Sequence, residues 1–305
     1  MPTRDATLRA YKQQMLNVLV HIQQHLDEPM PLHELASLAG LSPYHFHHVF
    51  TGMIGEPLLR HVRRLRLERA ATRLKLTRLR VIDIALEAGY ETHEAFTRAF
   101  AGAFGLSPRQ FRERHHRSMT LDASSGVHFR ARGRLRSFHT ARPVKDVDLA
   151  LPVVIKSLRP MRVAFVRHVG PYDRVAQAWD RLGAFLGKHG WLGGDAQFIG
   201  ICHDDPAVTE PARIRYDACV TVDRRFTPEN DIGVQTVAGG DYAVLTHVGD
   251  YGRLGDGYAR LFGHWLPRSG RRLRAIPSFE MYLNSPESTD PQDLIVDLHA
   301  PLESR

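Results

Sequence analysis

Apolar residues recur at i, i+3, i+4 and i+7 in four short stretches of the first third of the chain, and the stretches form two pairs in the same order. Leu32, Leu35, Ala36 and Ala39 are followed by Phe46, Val49, Phe50 and Met53. The same pattern returns 49 and 50 residues later as Val81, Ile84, Ala85, Ala88 and Phe96, Ala99, Phe100, Ala103. Each stripe marks the buried face of a short helix. Gly40 and Gly89 separate the members of each pair and can take the positive φ that a sharp turn between helices requires. Leu41 or Tyr90 then anchors the turn, and Ser42 with Pro43, or Thr92, supplies an N-cap. The pattern predicts two helical hairpins of one plan, at about 30–55 and 80–105. Between them Leu67, Ala70, Ala71 and Leu74 predict a spacer helix over 58–75, spanning about 27 Å at about 1.5 Å per residue.

After Arg117 this periodicity stops. Residues 119–150, with four arginines between Arg130 and Arg136 and with Pro143, read as a basic linker. From Leu151 the runs become short and rich in β-branched residues: Val153 to Ile155, then Val163 to Val166. A second repeat appears here, because His168-Val169-Gly170-Pro171-Tyr172 recurs 79 residues on as His247-Val248-Gly249-Asp250-Tyr251. A strand precedes each copy (Val163 to Val166, Tyr242 to Thr246), and a helical segment with Arg181-Leu182 or Arg260-Leu261 follows it. Further strands are predicted near Ile199, Tyr216 to Val222, Phe279 to Leu283 and Leu294 to Leu298. The expected architecture is multi-domain: an all-α double helix-turn-helix over 1–118, the linker 119–150, and an α+β domain over 151–305 built from two pseudo-symmetric strand-helix-strand repeats with an antiparallel sheet.

Charge follows the same division. Residues 1–150 hold 23 Lys and Arg against 14 Asp and Glu, a net +9, whereas 151–305 hold 18 against 19, a net −1. A basic half joined to a neutral one points to a polyanion reader attached to a module that need not meet phosphate. Cys202 and Cys219 form no metal-ligand or redox spacing and read as buried or free thiols in a reducing compartment. No run approaches the roughly 18 apolar residues of a membrane helix and no signal segment opens the chain, so a cytoplasmic protein is expected.

The paired hairpins resemble the DNA-binding domain of the AraC/XylS family from about Leu16 to Arg114. The resemblance is carried by His33-Glu34-Leu35-Ala36, Ala39-Gly40-Leu41-Ser42-Pro43, Arg63 to Ala70, Ile84-Ala85, Ala88-Gly89-Tyr90, Phe96 to Phe100 and Phe104-Gly105-Leu106-Ser107-Pro108. It implies double-stranded promoter DNA as a partner, with RNA polymerase as a further candidate. The spacer would hold two recognition helices near the ~34 Å repeat of B-DNA, so that one chain reads two half-sites. It also implies base contacts from Tyr44, His47 and His48 in the first module and His93, Glu94, Thr97 and Arg98 in the second. Arg98 is the leading candidate, since a guanidinium reaches guanine O6 and N7 together, whereas Glu94 can only accept, as from cytosine N4. The segments Thr51-Gly52-Met53 and Ala101-Gly102-Ala103 lack the basic residues common there in the family, which leaves phosphate contacts to Arg60, Arg63, Arg64 and Arg112. His45, His47 and His48 do not make a metal site, because adjacent helical positions do not share the i, i+4 face of a ligand pair.

From about Val153 to Pro301 the chain resembles the GyrI-like (Rob-type) effector-binding domain, through the two HVG(P/D)Y turns and Phe279-Glu280-Met281-Tyr282-Leu283-Asn284. The resemblance implies a groove between two pseudo-symmetric halves that takes cationic or amphipathic small molecules, including multiple drugs, with Glu280 as its acidic residue. Trp179, Tyr258, Phe279 and Tyr282 are the candidate walls, a carboxylate among aromatic faces being suited to an organic cation. His168 and His247 are duplicated and therefore read as supports of their turns rather than catalysts. No nucleophile elbow, Walker loop or dinucleotide fingerprint occurs, and neither a catalytic residue nor a cofactor nor a metal is expected. The favoured reading is a transcription regulator controlled by a small-molecule effector. One alternative is a small-molecule hydrolase with Glu280 as general base beside Tyr282. Another is a module that binds an enzyme of DNA topology.

Overall fold

The computed structural model describes residues 3–114, 119–130, 135–141, 152–204 and 209–304. Its contacts gather into two compact units. One holds Arg9–Leu41 and Phe50–Arg142; the other holds Met1–Leu8, Ser42–Val49 and Pro143–Arg305.

Seven helices lie in the first 114 residues: α1 (Arg4–Gln24), α2 (Leu32–Leu38), α3 (Pro43–Ile54), α4 (Leu58–Leu76), α5 (Val81–Glu87), α6 (His93–Phe104) and α7 (Pro108–Glu113). The predicted stripes are their buried faces. Leu67, Ala70, Ala71 and Leu74 of α4 form one core with Ile84, Ala85, Ala88, Phe96 and Phe100. Gly40 and Gly89 have φ of 66° and 81°, and a Cβ on Gly89 would lie 2.7 Å from Arg66 Nη1. The caps form as expected: Ser42 Oγ accepts from the His45 amide at 3.3 Å and Thr92 Oγ1 from the Ala95 amide at 3.1 Å. The first helix was not anticipated, although its buried Met15, Val18, Leu19 and Ile22 keep the same i, i+3, i+4, i+7 spacing.

Residues 119–141 are not a free linker. The buried Glu68 carboxylate on α4 accepts the Leu121 amide at 2.9 Å and the Phe129 amide at 2.8 Å, and the Ala141 amide donates to Met53 O at 2.7 Å. An ionised side chain at the centre of the unit thus fixes backbone more than 50 residues away in sequence. Arg132, Arg134 and Pro143, and the limits expected at 118 and 151, lie outside the described residues.

The C-terminal part is α+β. Its strands are β1 (Val154–Leu158), β2 (Met161–Val169), β3 (Phe198–Cys202), β4 (Arg215–Thr221), β5 (Gly233–Val237), β6 (Gly240–Val248), β7 (Phe279–Tyr282) and β8 (Ile295–Pro301). They form one antiparallel sheet in the order β1-β6-β8-β7-β3-β4-β2-β5. The halves are pseudo-symmetric: β2, β4 and β3 correspond to β6, β8 and β7, and β3 pairs with β7 at the centre. β5, not anticipated, begins 79 residues after β1, and each of these two strands edges the half built mainly by the other repeat. After the first turn runs α8 (Ala176–Lys188); after the second runs α9 (Leu254–Tyr258), continued by a π-helical segment, Ala259–Trp265. His168 Nε2 lies 3.0 Å from Pro171 O and His247 Nε2 3.3 Å from Asp250 O, so both histidines brace their own turns as expected.

Candidate functional site

Glu280 stands on β7, one of the two central strands, opposite Gly200 of β3 and Leu298 of β8. It is only 5% exposed. Its carboxylate accepts hydrogen bonds from Tyr258 at 2.9 Å and from Tyr282 at 2.5 Å, and the Cys202 thiol lies 3.7 Å away. Tyr282 is in turn 3.0 Å from the Tyr216 hydroxyl, which accepts from Trp179 Nε1 at 3.2 Å. These partners are neutral hydroxyls, a thiol and an indole. Burial raises the Glu280 pKa above its ordinary value, and the bonds from Tyr282, Tyr258 and Cys202 offset this only in part. Burial, then the charge of Glu280, pushes the Tyr216, Tyr258 and Tyr282 hydroxyls well up, so they stay protonated and donate.

Local sequence explains how the cluster fits into a sheet. Glu280 and Tyr282 are two apart on a strand and therefore share a face. Gly200 lets the Tyr216 ring lie over the strand, because a Cβ there would come within 2.8 Å of Tyr216 Cζ. Gly200→Ala is thus expected to displace Tyr216 and weaken any ligand of the cluster without unfolding the sheet; a crystal structure of the variant with Tyr216 unmoved would contradict this.

Three of the four expected walls meet at Glu280. Tyr258 and Tyr282 bond it, and Trp179 packs edge to face on Tyr282 with ring centroids 5.6 Å apart. Phe279 does not. One residue before Glu280, it points to the opposite face of the sheet, stacked on His299 at 4.3 Å and packed among Val163, Ile199 and Tyr242. Tyr216, Cys202, Tyr172 and Tyr251 were missed. Tyr251 lies 5.4 Å from Tyr282 and Tyr172 5.8 Å from Tyr216, so the final tyrosine of each HVG(P/D)Y turn flanks the cluster. The equal spacing of those tyrosines was the available signal.

The helix-turn-helix residues divide by module. On α6, His93, Glu94 and Arg98 are exposed and Thr97 is half-buried. On α3 the equivalent positions behave otherwise: Tyr44 is 8% and His47 3% exposed, and His48 is half-buried. The expectation that these three present themselves to DNA is corrected by the tertiary contacts of Ser42–Val49, which join the unit of Pro143–Arg305. Arg60 and Arg63 are exposed, and Arg63 Nε donates to the Tyr90 hydroxyl at 3.1 Å. Arg112 is half-buried and donates to Leu79 O at 2.6 Å. Arg64 is not a phosphate ligand: 7% exposed, it bonds Glu56 at 2.6 Å and Glu68 at 3.0 Å inside the helical unit. Among the described residues no three His, Cys, Asp or Glu side chains gather as a metal site, and no helix is long and apolar enough to cross a membrane. Cys202 and Cys219 are buried free thiols.

A pair of helix-turn-helix modules and a pseudo-symmetric α+β sheet with an acid among aromatics define a DNA-binding regulator fused to a small-molecule-binding domain. Comparison with known proteins agrees. Residues 35–114 match a helix-turn-helix domain and residues 151–303 the GyrI-like small molecule binding domain; the chain belongs to the GyrI-like family and carries an AraC-type DNA-binding domain. It is 37% identical over 109 residues to the probable transcriptional regulator YgiV of Escherichia coli K12, covering 35% of this chain and 68% of that protein. It is 35% identical over 95 residues to the HTH-type transcriptional activator AarP of Providencia stuartii, covering 31% and 70%. To the right origin-binding protein of E. coli K12 it is 33% identical over 96 residues, covering 32% of this chain and only 33% of that protein. Among solved structures, the EcmrR C-terminal domain aligns over 52% of this chain and 100% of its own length at 17% identity, with a TM-score of 0.43. The protein is a DNA-binding transcription regulator, not an enzyme.

Proposed function

We propose that a lipophilic organic cation binds at the Glu280 cluster and controls the affinity of the helix-turn-helix modules for promoter DNA. The observation that carries this reading is a nearly buried carboxylate whose bonds come from neutral tyrosines rather than from a cation. An ionised carboxylate in such surroundings is costly, and an incoming cation compensates it while aromatic faces supply cation–π and apolar contact. The buried Tyr251 hydroxyl, which makes no hydrogen bond among the described residues, offers a further polar contact. The hydrolase alternative is weakened by the same geometry, since each carboxylate oxygen already accepts a tyrosine hydroxyl. Calorimetric titration of the full chain with tetraphenylphosphonium, against neutral triphenylphosphine oxide, tests the reading. Selective binding of the cation is expected, and equal affinity for both would refute it. Binding of the cation should also strengthen as pH rises through the raised Glu280 pKa, because only the ionised form attracts it.

For DNA, the exposed His93, Glu94 and Arg98 are the base-reading candidates, with Arg60 and Arg63 on phosphate. Arg98→Ala is expected to cost about 1 to 3 kcal/mol and to relax sequence preference in one block of the footprint only. Equal loss at every position would count against the assignment. The full chain's log affinity should fall with log salt by about 0.9 per phosphate neutralised; an affinity independent of salt between about 50 and 200 mM would exclude phosphate contact.

A further inference from the structure

The two recognition helices provide an internal comparison. Phe46 and Phe96 are equivalent, so Tyr44, His47 and His48 on α3 occupy the places of Glu94, Thr97 and Arg98 on α6. On α6 two of these are charged and exposed. On α3 all three are aromatic, and the first two are buried. Their surroundings are the effector cluster itself. Tyr44 packs with Ala164, Ala178, Cys202 and Tyr216, and its ring meets that of Tyr258 edge to face at 6.3 Å. His48 stacks on Tyr258 at 4.6 Å and on Phe262 at 5.4 Å. His45 is 3.3 Å from Ser278 Oγ and 5.5 Å from the Phe262 ring. Tyr258 is the residue that donates to Glu280.

We infer that the start of α3 is an internal occupant of the effector site, so that a lipophilic cation and this helix compete for the same aromatic surface. The inference rests on the reading of the Glu280 cluster as an effector site. An imidazole stacked on Tyr258 and a phenol among the same rings offer the contacts an aromatic cation would make. While α3 holds them, Tyr44 and His47 cannot reach a base edge, and only α6 presents its reading face. A cation that displaces Tyr44 and His48 frees α3, and the second block of the operator becomes readable. Effector binding is thereby converted into DNA affinity without any change inside the helical core, since Phe46, Val49 and Phe50 are not the residues that meet Tyr258.

Competition makes a quantitative demand. If the site is free of α3 for a fraction of the time, the apparent cation affinity is reduced by that fraction, and removing the occupant restores it. In the full chain, Tyr44→Ala and His48→Ala are each expected to tighten tetraphenylphosphonium by up to about tenfold, with the Glu280 dependence retained. Diethyl pyrocarbonate labelling, read by mass spectrometry, supplies a second measurement. In the wild type His45 should react far more slowly than exposed His93, and saturating cation or His48→Ala should bring it towards the His93 rate. Cation binding that depends on Glu280 but is unchanged in both variants, with His45 labelling unaffected by the cation, overturns the competition while leaving the effector site intact. Labelling of His45 at the His93 rate in the ligand-free wild type also overturns it. Absence of Glu280-dependent cation binding in every variant defeats the effector reading and, with it, the competition.

Discussion

Glu280→Gln is expected to weaken tetraphenylphosphonium by about 1 to 3 kcal/mol, a factor of roughly 5 to 150, while leaving triphenylphosphine oxide nearly unaffected. The substitution keeps shape and an acceptor for Tyr258 or Tyr282 and deletes only the charge. Fold should survive. A carboxylate whose folded pKa is raised contributes stability that is fully present below its ordinary value of 4.5 and is lost as pH rises through the folded value. At neutral pH the glutamine therefore removes a burden, and the melting temperature should hold or rise. A fall of about 3 to 5 kcal/mol in stability with no charge-selective loss of binding would indicate a hidden ionic partner and refute the assignment. Parallel calorimetry and thermal melts on the one variant distinguish these results.

Arg64→Ala should be the most damaging single change to the helical unit. Arg64 joins Glu56 and Glu68, both nearly buried, and Glu68 also holds the Leu121 and Phe129 amides. Removing the guanidinium leaves two buried carboxylates without their countercharge, at a cost of about 3 to 5 kcal/mol. Urea denaturation should show a lower midpoint at unchanged slope. A loss below about 1 kcal/mol, the range of a solvated surface pair, would contradict the network. The pH dependence follows. Burial alone would raise the Glu56 pKa, but bonds from His61 and Arg64 hold it at about 2. Its stabilising contribution is present above the ordinary value of 4.5 and disappears as pH falls towards 2, so the variant should unfold at a higher pH than the wild type on acid titration.

What was legible in the chain was what local periodicity encodes. A helix that buries one face writes that face at i, i+3, i+4 and i+7, and α2 to α6 were read from such stripes; α1 carried an equally clear one in Met15, Val18, Leu19 and Ile22 and was overlooked. The duplicated turns revealed the two halves of the sheet, and their constant offset would have located β5 as the counterpart of β1. Errors arose where burial is decided by distant sequence. Phe279 was grouped with Glu280 although neighbouring strand residues face opposite ways. Arg64 looked like a phosphate ligand because nothing adjacent announces that Glu56 and Glu68 enclose it. Residues 119–141 looked like a linker because their amides are held by a carboxylate on α4. Tyr44 and His47 obey the helix-turn-helix pattern, yet their exposure depends on a tertiary contact that no local pattern records.

The central claim is that occupancy of the Glu280 cluster changes DNA affinity. The most direct test is fluorescence anisotropy of the full chain on a labelled duplex selected from a random pool, with and without saturating tetraphenylphosphonium, for the wild type and Glu280→Gln. Coupling between two sites in one chain commonly amounts to about 5- to 150-fold. Tighter DNA binding by a factor in that range is predicted for the wild type, with the shift lost in Glu280→Gln at the same cation concentration. A wild-type chain that calorimetry shows to be saturated with the cation, yet whose DNA affinity does not move, would contradict the account.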